Sequence, residues 1–284
     1  MVLGVVDIGT NTTRLLVAEV EAEKLRPLLQ RRHFIAPREA AIDEVARLVE
    51  REANAARAAG AEELIAVGTA AIRRLPEARR LARLCERLGI GGLRVLSEAD
   101  EARFAFLGAT RSEPGELPDV VAVADVGGGS TELVVGSPRE GPGWWASRPL
   151  GSRALTERAL HSDPPTGEQL AAARNAAARR LARVEPPPCE LALAVGGCAA
   201  SLGRLSGGSL DRGSIGELFE LLLEDDSVTV GNRLGIAPQR VRLLPAALAV
   251  YEAICELVPE PLRIARGGIR EGLLLDRAHE RAAL

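Results

Sequence analysis

Two short segments carry residues able to handle phosphate and a cation: Asp7-Ile8-Gly9-Thr10-Asn11-Thr12-Thr13-Arg14 and Asp125-Val126-Gly127-Gly128-Gly129-Ser130-Thr131-Glu132. In each, an aspartate ends an apolar run, a glycine follows two residues on, and hydroxyl side chains lead to one charged residue and a second apolar run. A strand-ending carboxylate can hold a hydrated divalent cation or orient water. Glycines, lacking a Cβ, let backbone N–H groups approach an anion. Aligned without gaps, Asp7 falls on Asp125, Gly9 on Gly127, Thr12 and Thr13 on Ser130 and Thr131, and Arg14 on Glu132. The last pair has opposite charge, which suggests phosphate held through Arg14 in one copy and metal held through Asp125 and Glu132 in the other. Either copy alone reads equally as a tight hairpin whose glycine suits the turn and whose aspartate caps it. The matched pair, with Gly196-Gly197-Cys198 and Gly267-Gly268 further on, favours phosphate handling. Two copies, one per domain, are expected to face each other across a cleft.

The flanking patterns supply the elements that hold these residues. Val2–Asp7 and Leu15–Glu19 read as a strand hairpin. Ile42, Val45, Leu48 and Val49 mark an amphipathic helix running from Pro37 to Gly60. A strand at Glu63–Val67, a helix at Pro76–Leu88 ended by Gly89, and a strand at Leu93–Leu96 follow. Ser97 can cap a helix over Glu98–Leu107. The Pro-, Gly- and charge-rich stretch Arg111–Asp119 is the expected boundary between domains 1–116 and 117–284. The order then restarts, with strands at Val120–Val126, at Glu132–Val135 and near Trp144–Pro149, and a helix over Thr166–Val184. A strand at Glu190–Val195 leads into Gly196-Gly197 and a helix, then polar, Gly-rich loops. A helix at Pro245–Leu257, a strand at Leu262–Ala265 and a terminal helix from Arg270 close the chain, the last set to pack back on the first lobe.

Composition narrows the classes. The 284 residues are 46% hydrophobic, enough for a large core and for two domains. With 36 basic and 39 acidic side chains and a net charge of −3, no global basic field points to nucleic acid or an anionic membrane. Lys24 is the single lysine, so arginine supplies the other cations. Cys85, Cys189, Cys198 and Cys255 have neither disulfide-framework nor zinc spacing. No basic leader or membrane-length apolar stretch is present, which makes the cytoplasm the expected compartment.

The runs DIGTNTTRLL from Asp7, AVGTAAIRR from Ala66 to Arg74, LSEADEARFAFLGA from Leu96, DVGGGSTEL from Asp125, VGGCAAS from Val195 and GGIREGLLL from Gly267 resemble, in order and spacing, the motifs of the exopolyphosphatase and guanosine pentaphosphate phosphohydrolase (Ppx/GppA) family. The resemblance covers residue 5 to about 275. It implies an α/β, duplicated actin-like (ribonuclease H-like) fold with two lobes around a central cleft. It also implies release of terminal phosphate from inorganic polyphosphate or guanosine pentaphosphate with magnesium, manganese being the alternative metal. Glu101 becomes the general base, although Glu98, Asp100, Glu101 and Arg103 on their own read as a solvated helix face. Asp125 and Glu132 become the magnesium-linked carboxylates, with Asp7 a third.

Backbone amides of Gly9, Thr10, Asn11 and Thr12 and of Gly127, Gly128, Gly129, Ser130 and Thr131, with the side chains of Asn11, Arg14 and Ser130, are the expected phosphate ligands, joined by Gly196 and Gly197. Arg73 reads either as a second phosphate clamp or as a surface arginine, and Arg270 as support for a nucleotide or polyphosphate at a helix start. A basic track of Arg14, Arg73, Arg266 and Arg270, extended by Arg240 and Arg242, favours polyphosphate of short or medium length over guanosine pentaphosphate. The sequence departs from the family at Glu98 (usually Gly), Cys198 (usually Thr), Arg242 (usually an acid) and the shortened segment Arg31–Ala41. A kinase of the same superfold and a binding protein with reduced turnover stand as other classes. Nucleic acid and membrane partners are not expected, and a monomer or a homodimer is left open.

Overall fold

The computed structural model describes residues 1–21, 24–35, 37, 42–73 and 75–282. Part of the shortened segment (36 and 38–41), which includes most of the expected helix start after Pro37, and Arg74 of the second motif lie outside the described residues. The chain divides into two compact units, Met1–Ser112 with Ile269–Leu284, and Glu113–Gly268.

In the first unit, strands β1 (Val2–Ile8), β2 (Thr13–Glu21) and β3 (Lys24–His33) form an antiparallel meander. Helix α1 (Ile42–Ala58) leads to β4 (Glu63–Gly68), and the short α2 (Ala70–Arg73) and α3 (Ala78–Arg87) lead to β5 (Leu93–Val95). Both strands run parallel to β1, giving the order β3-β2-β1-β4-β5. The sequence pattern predicts only two strands before α1. The third, β3, is arginine-rich and contains Pro27, which fits its place at the sheet edge, where one side of the strand needs no N–H donor. Its register shifts between Val17 and Ala18, with Leu28 the extra residue. Side chains alternate across the sheet: Val6, Ile8, Leu15 and Val17 pack under α1, while Leu3, Val5, Leu16 and Ala18 pack on the opposite face with Phe104 of α4 (Glu98–Ser112). By the same alternation Asp7 and Arg14 belong to the α4 face. Ser97 Oγ accepts from Asp100 N at 3.1 Å and Asp100 Oδ2 accepts from Ser97 N at 3.0 Å, a reciprocal cap that starts α4 where the sequence placed it.

The second unit repeats the plan. Strands β6 (Val121–Val126), β7 (Thr131–Ser137) and β8 (Gly141–Arg148) form an antiparallel meander, followed by helices α5 (Ser152–Ala159) and α6 (Gly167–Leu181). Strand β9 (Leu191–Val195) is parallel to β6, and α7 (Gly196–Ser206) starts directly from it. Next come β10 (Ser209–Leu210), helices α8 (Arg212–Leu223), α9 (Ser227–Leu234), α10 (Pro238–Val241) and α11 (Leu244–Cys255), and β11 (Leu262–Ile264). The sheet order β10-β11-β9-β6-β7-β8, read from its meander, matches the first sheet with one small edge strand added. This is the duplicated, actin-like α/β architecture. The stretch expected as polar loops after α7 is instead helical. Asp211 forms a capping box with Ser214 at the start of α8, and Asp226 accepts from Val228 N and Thr229 N at the start of α9. The chain then returns to the first unit as α12 (Ile269–Ala282), whose Leu273 and Leu274 join the core around Leu3 and Phe104. Helices α4 and α12 meet backbone to backbone: a Cβ on Gly272 would stand 2.0 Å from Phe104 O. Among the described residues no helix is long and apolar enough to cross a membrane.

Candidate phosphate and metal site

The two hairpins superpose in their bonding. Gly9 N donates to Thr12 O at 3.0 Å, and Gly127 N donates to Ser130 O at 3.0 Å. A Cβ would stand 3.2 Å from Thr12 O in the first and 3.1 Å from Ser130 O in the second, so glycine keeps each turn tight. Asp7 lies opposite Arg14, and Asp125 lies opposite Glu132. The hydroxyls one residue further brace the fold: Thr13 Oγ1 donates to Ile35 O at 3.0 Å, and Thr131 Oγ1 donates to Leu150 O.

In the first unit, Arg14 Nε donates to Thr12 Oγ1 at 3.2 Å, fixing the guanidinium beside the turn. Asp7 Oδ1 is sealed from solvent with no hydrogen-bond partner among the described residues. Burial pushes the Asp7 carboxyl above its usual range, against the pull of Arg14 and Arg270 and with a push from Glu271. Arg270, in the first turn of α12, has Nη2 3.4 Å from Glu271 Oε1. The charged face of α4 resolves into distinct roles. Asp100 caps the helix, Arg103 pairs with Asp276, and Glu98 is largely exposed, whereas Glu101 is only 4% exposed. Arg73 Nη1 donates to Leu96 O at 2.7 Å and to Glu101 Oε1. Arg73 is therefore no surface arginine: its guanidinium orients Glu101, a pairing with no sequence signal because the partners lie 28 residues apart.

In the second unit, α5, a helix that the sequence pattern does not predict, closes under the Gly127–Ser130 loop. Ser152 N donates to Gly127 O at 2.9 Å, and Arg153 N and Ala154 N donate to Gly128 O at 3.1 and 3.0 Å. A Cβ on Gly151 would stand 2.3 Å from Gly128 C, so only glycine allows this approach. The loop carbonyls face the helix, and in planar trans peptides the N–H groups of Gly128 and Gly129 point the other way. Asp125 is 8% exposed and Glu132 is 2% exposed, and Ser147 Oγ donates to Glu132 Oε1 at 2.8 Å. Gly196 has φ +96°, and a Cβ there would stand 2.7 Å from Asp125 Oδ1, so this glycine makes room for the carboxylate. Gly197 O accepts from Ser201 Oγ at 3.0 Å within α7. Among the described residues no group of three or more His, Cys, Asp or Glu side chains is arranged to hold a metal ion.

One member of the expected basic track is internal and a second is half-buried. Arg240 is 2% exposed and donates from Nη1 to Cys198 Sγ at 3.1 Å, and Arg242 Nη2 donates to Leu160 O at the C-terminus of α5. Burying a guanidinium calls for hydrogen-bond acceptors around it, and each of these two reaches one inside the unit. Arg266 is exposed, with its N–H donating to Glu113 Oε1 at 3.1 Å.

Known proteins match this arrangement along nearly its whole length. An uncharacterized protein of Streptomyces coelicolor is 32% identical over 95% of this chain and 88% of its own. Exopolyphosphatase 1 of Mycobacterium leprae is 29% identical over 99% of this chain and 91% of its own. The solved Ppx/GppA enzyme of Aquifex aeolicus superposes with a TM-score of 0.80 at 26% identity, covering 97% of this chain and 99% of that one. Residues 34–281 match the Ppx/GppA phosphatase family as a whole. With two meanders of one topology, each closed by the same glycine turn, and relatives that span both, the chain belongs to the Ppx/GppA phosphatase family.

Proposed function

We propose that the chain releases terminal orthophosphate from inorganic polyphosphate, with Glu101 as general base and magnesium as the metal. The observation that carries this reading is Glu101 itself, a buried carboxylate in the first turn of α4 held by Arg73 on a motif matching that of the family. Water attacks the terminal phosphorus, the bond to the bridging oxygen breaks, and Glu101 takes the proton lost by the water. Gly9 N and Gly127 N are taken up inside their turns, so the remaining amides of Thr10–Thr12 and Gly128–Thr131, with the side chains of Asn11, Arg14 and Ser130, bind phosphate oxygens. Gly196 acts through Asp125, and Arg270 serves the anion beside Arg14.

Magnesium fits the residues present. Asp125 and Glu132 face each other across β6 and β7, both buried, and like charges so placed repel unless a cation offsets them. Magnesium needs only one or two carboxylates, completing its shell with water and phosphate oxygens, so no three-carboxylate cluster is required. When bound it neutralises charge on the phosphates. Asp7 Oδ1, sealed and without a hydrogen-bond partner, is the third candidate. Manganese would suit the same oxygens.

Polyphosphate is favoured over guanosine pentaphosphate because the exopolyphosphatase relative matches over nearly all of both chains, and because amide loops read phosphate without reading a base. With Arg240 buried and Arg242 tied to Leu160 O, the track is shorter, which favours short or medium chains. The test is orthophosphate release from polyphosphates of graded length, guanosine pentaphosphate and ATP, each with magnesium. Polyphosphate should show the highest kcat/KM, and Glu101→Gln should lose roughly 10²- to 10⁴-fold in rate while still binding substrate. An unchanged rate in Glu101→Gln removes the base assignment. A higher kcat/KM for guanosine pentaphosphate than for every polyphosphate overturns the substrate assignment.

A further inference from the structure

The glycine loop of the second unit ends a line of hydrogen bonds that begins at a buried cation. Arg240 Nη1 donates to Cys198 Sγ at 3.1 Å. Cys198 Sγ donates to Ser152 Oγ at 3.6 Å, and Ser152 Oγ donates to Gly127 O at 3.0 Å. All three side chains are buried. Gly127 O and Gly128 N–H belong to one peptide group. A carbonyl that accepts strong hydrogen bonds draws density toward its oxygen and leaves its own N–H a stronger donor, and linked bonds polarise one another. The neighbouring peptide is loaded in the same sense, because Gly128 O accepts from Arg153 N and Ala154 N at the positive end of α5.

We propose that Arg240, Cys198 and Ser152 are positioning residues for the bound anion. Through two peptide planes they pass the positive potential of a buried guanidinium and a helix terminus to the N–H groups of Gly128 and Gly129. The inference rests on the phosphate-loop reading above. It explains how an arginine almost sealed from solvent can serve phosphate binding, and why a thiol is tolerated at 198. Like the hydroxyl of threonine, a thiol can accept from Arg240 and donate to Ser152 at once.

Calorimetric binding of tripolyphosphate with magnesium to the full chain carrying Glu101→Gln, which slows turnover while keeping binding, tests the relay, with melting curves to verify folding. Cys198→Val keeps the shape of threonine but can neither accept nor donate, and should weaken binding by about three- to tenfold, as expected for one lost hydrogen bond. Cys198→Thr should restore it. Ser152→Ala, a smaller change that keeps the Ser152 N–H bond to Gly127 O, should weaken binding to a similar degree, and combining it with Cys198→Val should add little, since both cut one line. Equal affinity in Cys198→Val and Cys198→Thr, or fully multiplicative losses in the double variant, would overturn the relay. A native chain that neither binds tripolyphosphate nor hydrolyses polyphosphate would instead refute the phosphate reading itself.

Discussion

Replacing Gly272 by alanine tests the close backbone approach of α12 to α4 in the first unit. The new Cβ would stand 2.0 Å from Phe104 O and 2.8 Å from both Phe104 C and Gly108 N, all main-chain atoms of α4 that no rotamer change can move. Reaching the ~3.5 Å at which non-bonded atoms rest requires the helices to part by about 1.5 Å. That gap strips contacts from Phe104, Leu273 and Leu274, which are essentially inaccessible. Overpacking of this kind costs ~3 kcal/mol at the upper end of its usual range. Alanine returns ~1 kcal/mol through helix propensity, leaving a net loss of about 2 kcal/mol. For a unit of this size that is a fall of roughly 6–10 °C in melting temperature. Gly216→Ala is the control: it lies exposed inside α8 with nothing within 4 Å of its Cβ, and should gain ~0.5–1 kcal/mol. Thermal melts followed by circular dichroism measure both, and phosphate release should fall in Gly272→Ala alone, because α4 carries Glu101 and α12 carries Arg270. A Gly272→Ala melt within 2 °C of the native one, measured beside a stabilised control, would refute the reasoning.

A chelator should abolish phosphate release and magnesium restore it, while Asp125→Asn or Glu132→Gln should raise the magnesium requirement more than the KM for polyphosphate; full activity without metal rules this out. Asp100 is desolvated, which pushes its carboxyl up, but its hydrogen bonds from Ser97 and the charge of Arg94 outweigh this and hold it below the usual range. Its contribution to stability is thus present above the ordinary carboxylate pKa and lost as pH falls through the depressed value. Asp100→Asn should cost ~1 kcal/mol at pH 7 and converge with the native chain in strong acid, so an undiminished difference at pH 2 would contradict the assignment. Burial pushes the Cys85 thiol up to about 11 and the Cys255 thiol up to about 12, and Cys198 is buried as well. A thiol reagent at pH 8 should therefore label only the partly exposed Cys189 before unfolding, and fast labelling of two or more thiols would count against this packing.

The parts of the fold legible in the sequence are those fixed by local signals. Aspartate, glycine and hydroxyl residues at matched spacing placed both hairpins, and Ser97 with Asp100 marked the start of α4. Strand β3 escaped because an edge strand can be polar and can carry Pro27, which removes the alternation that identifies strands. Helices α8 and α9 escaped because their caps, Asp211 and Asp226, sit among glycines and serines that read as loop. Within the site, residue type could not separate the buried Glu101 from Glu98 or Asp100, and the family motif rather than the helix pattern singled it out. Nor could it tell the buried Arg240 and the half-buried Arg242 from surface arginines, since burial depends on acceptors supplied by distant segments: Cys198 for one and Leu160 O for the other.

The return of α12 to the first unit bears on how the protein is made. Synthesis runs from the N-terminus, so the sheet of the first unit emerges ahead of the second unit, yet Leu273 and Leu274, which cover Leu3, Val5 and Leu16, are translated only after the whole second unit. The second unit, contiguous from Glu113 to Gly268, is complete in sequence before that cover exists. Nascent chains arrested after Gly268 should therefore hold a protease-resistant second unit behind a first unit that still shows an apolar sheet face, the kind of surface that chaperones engage.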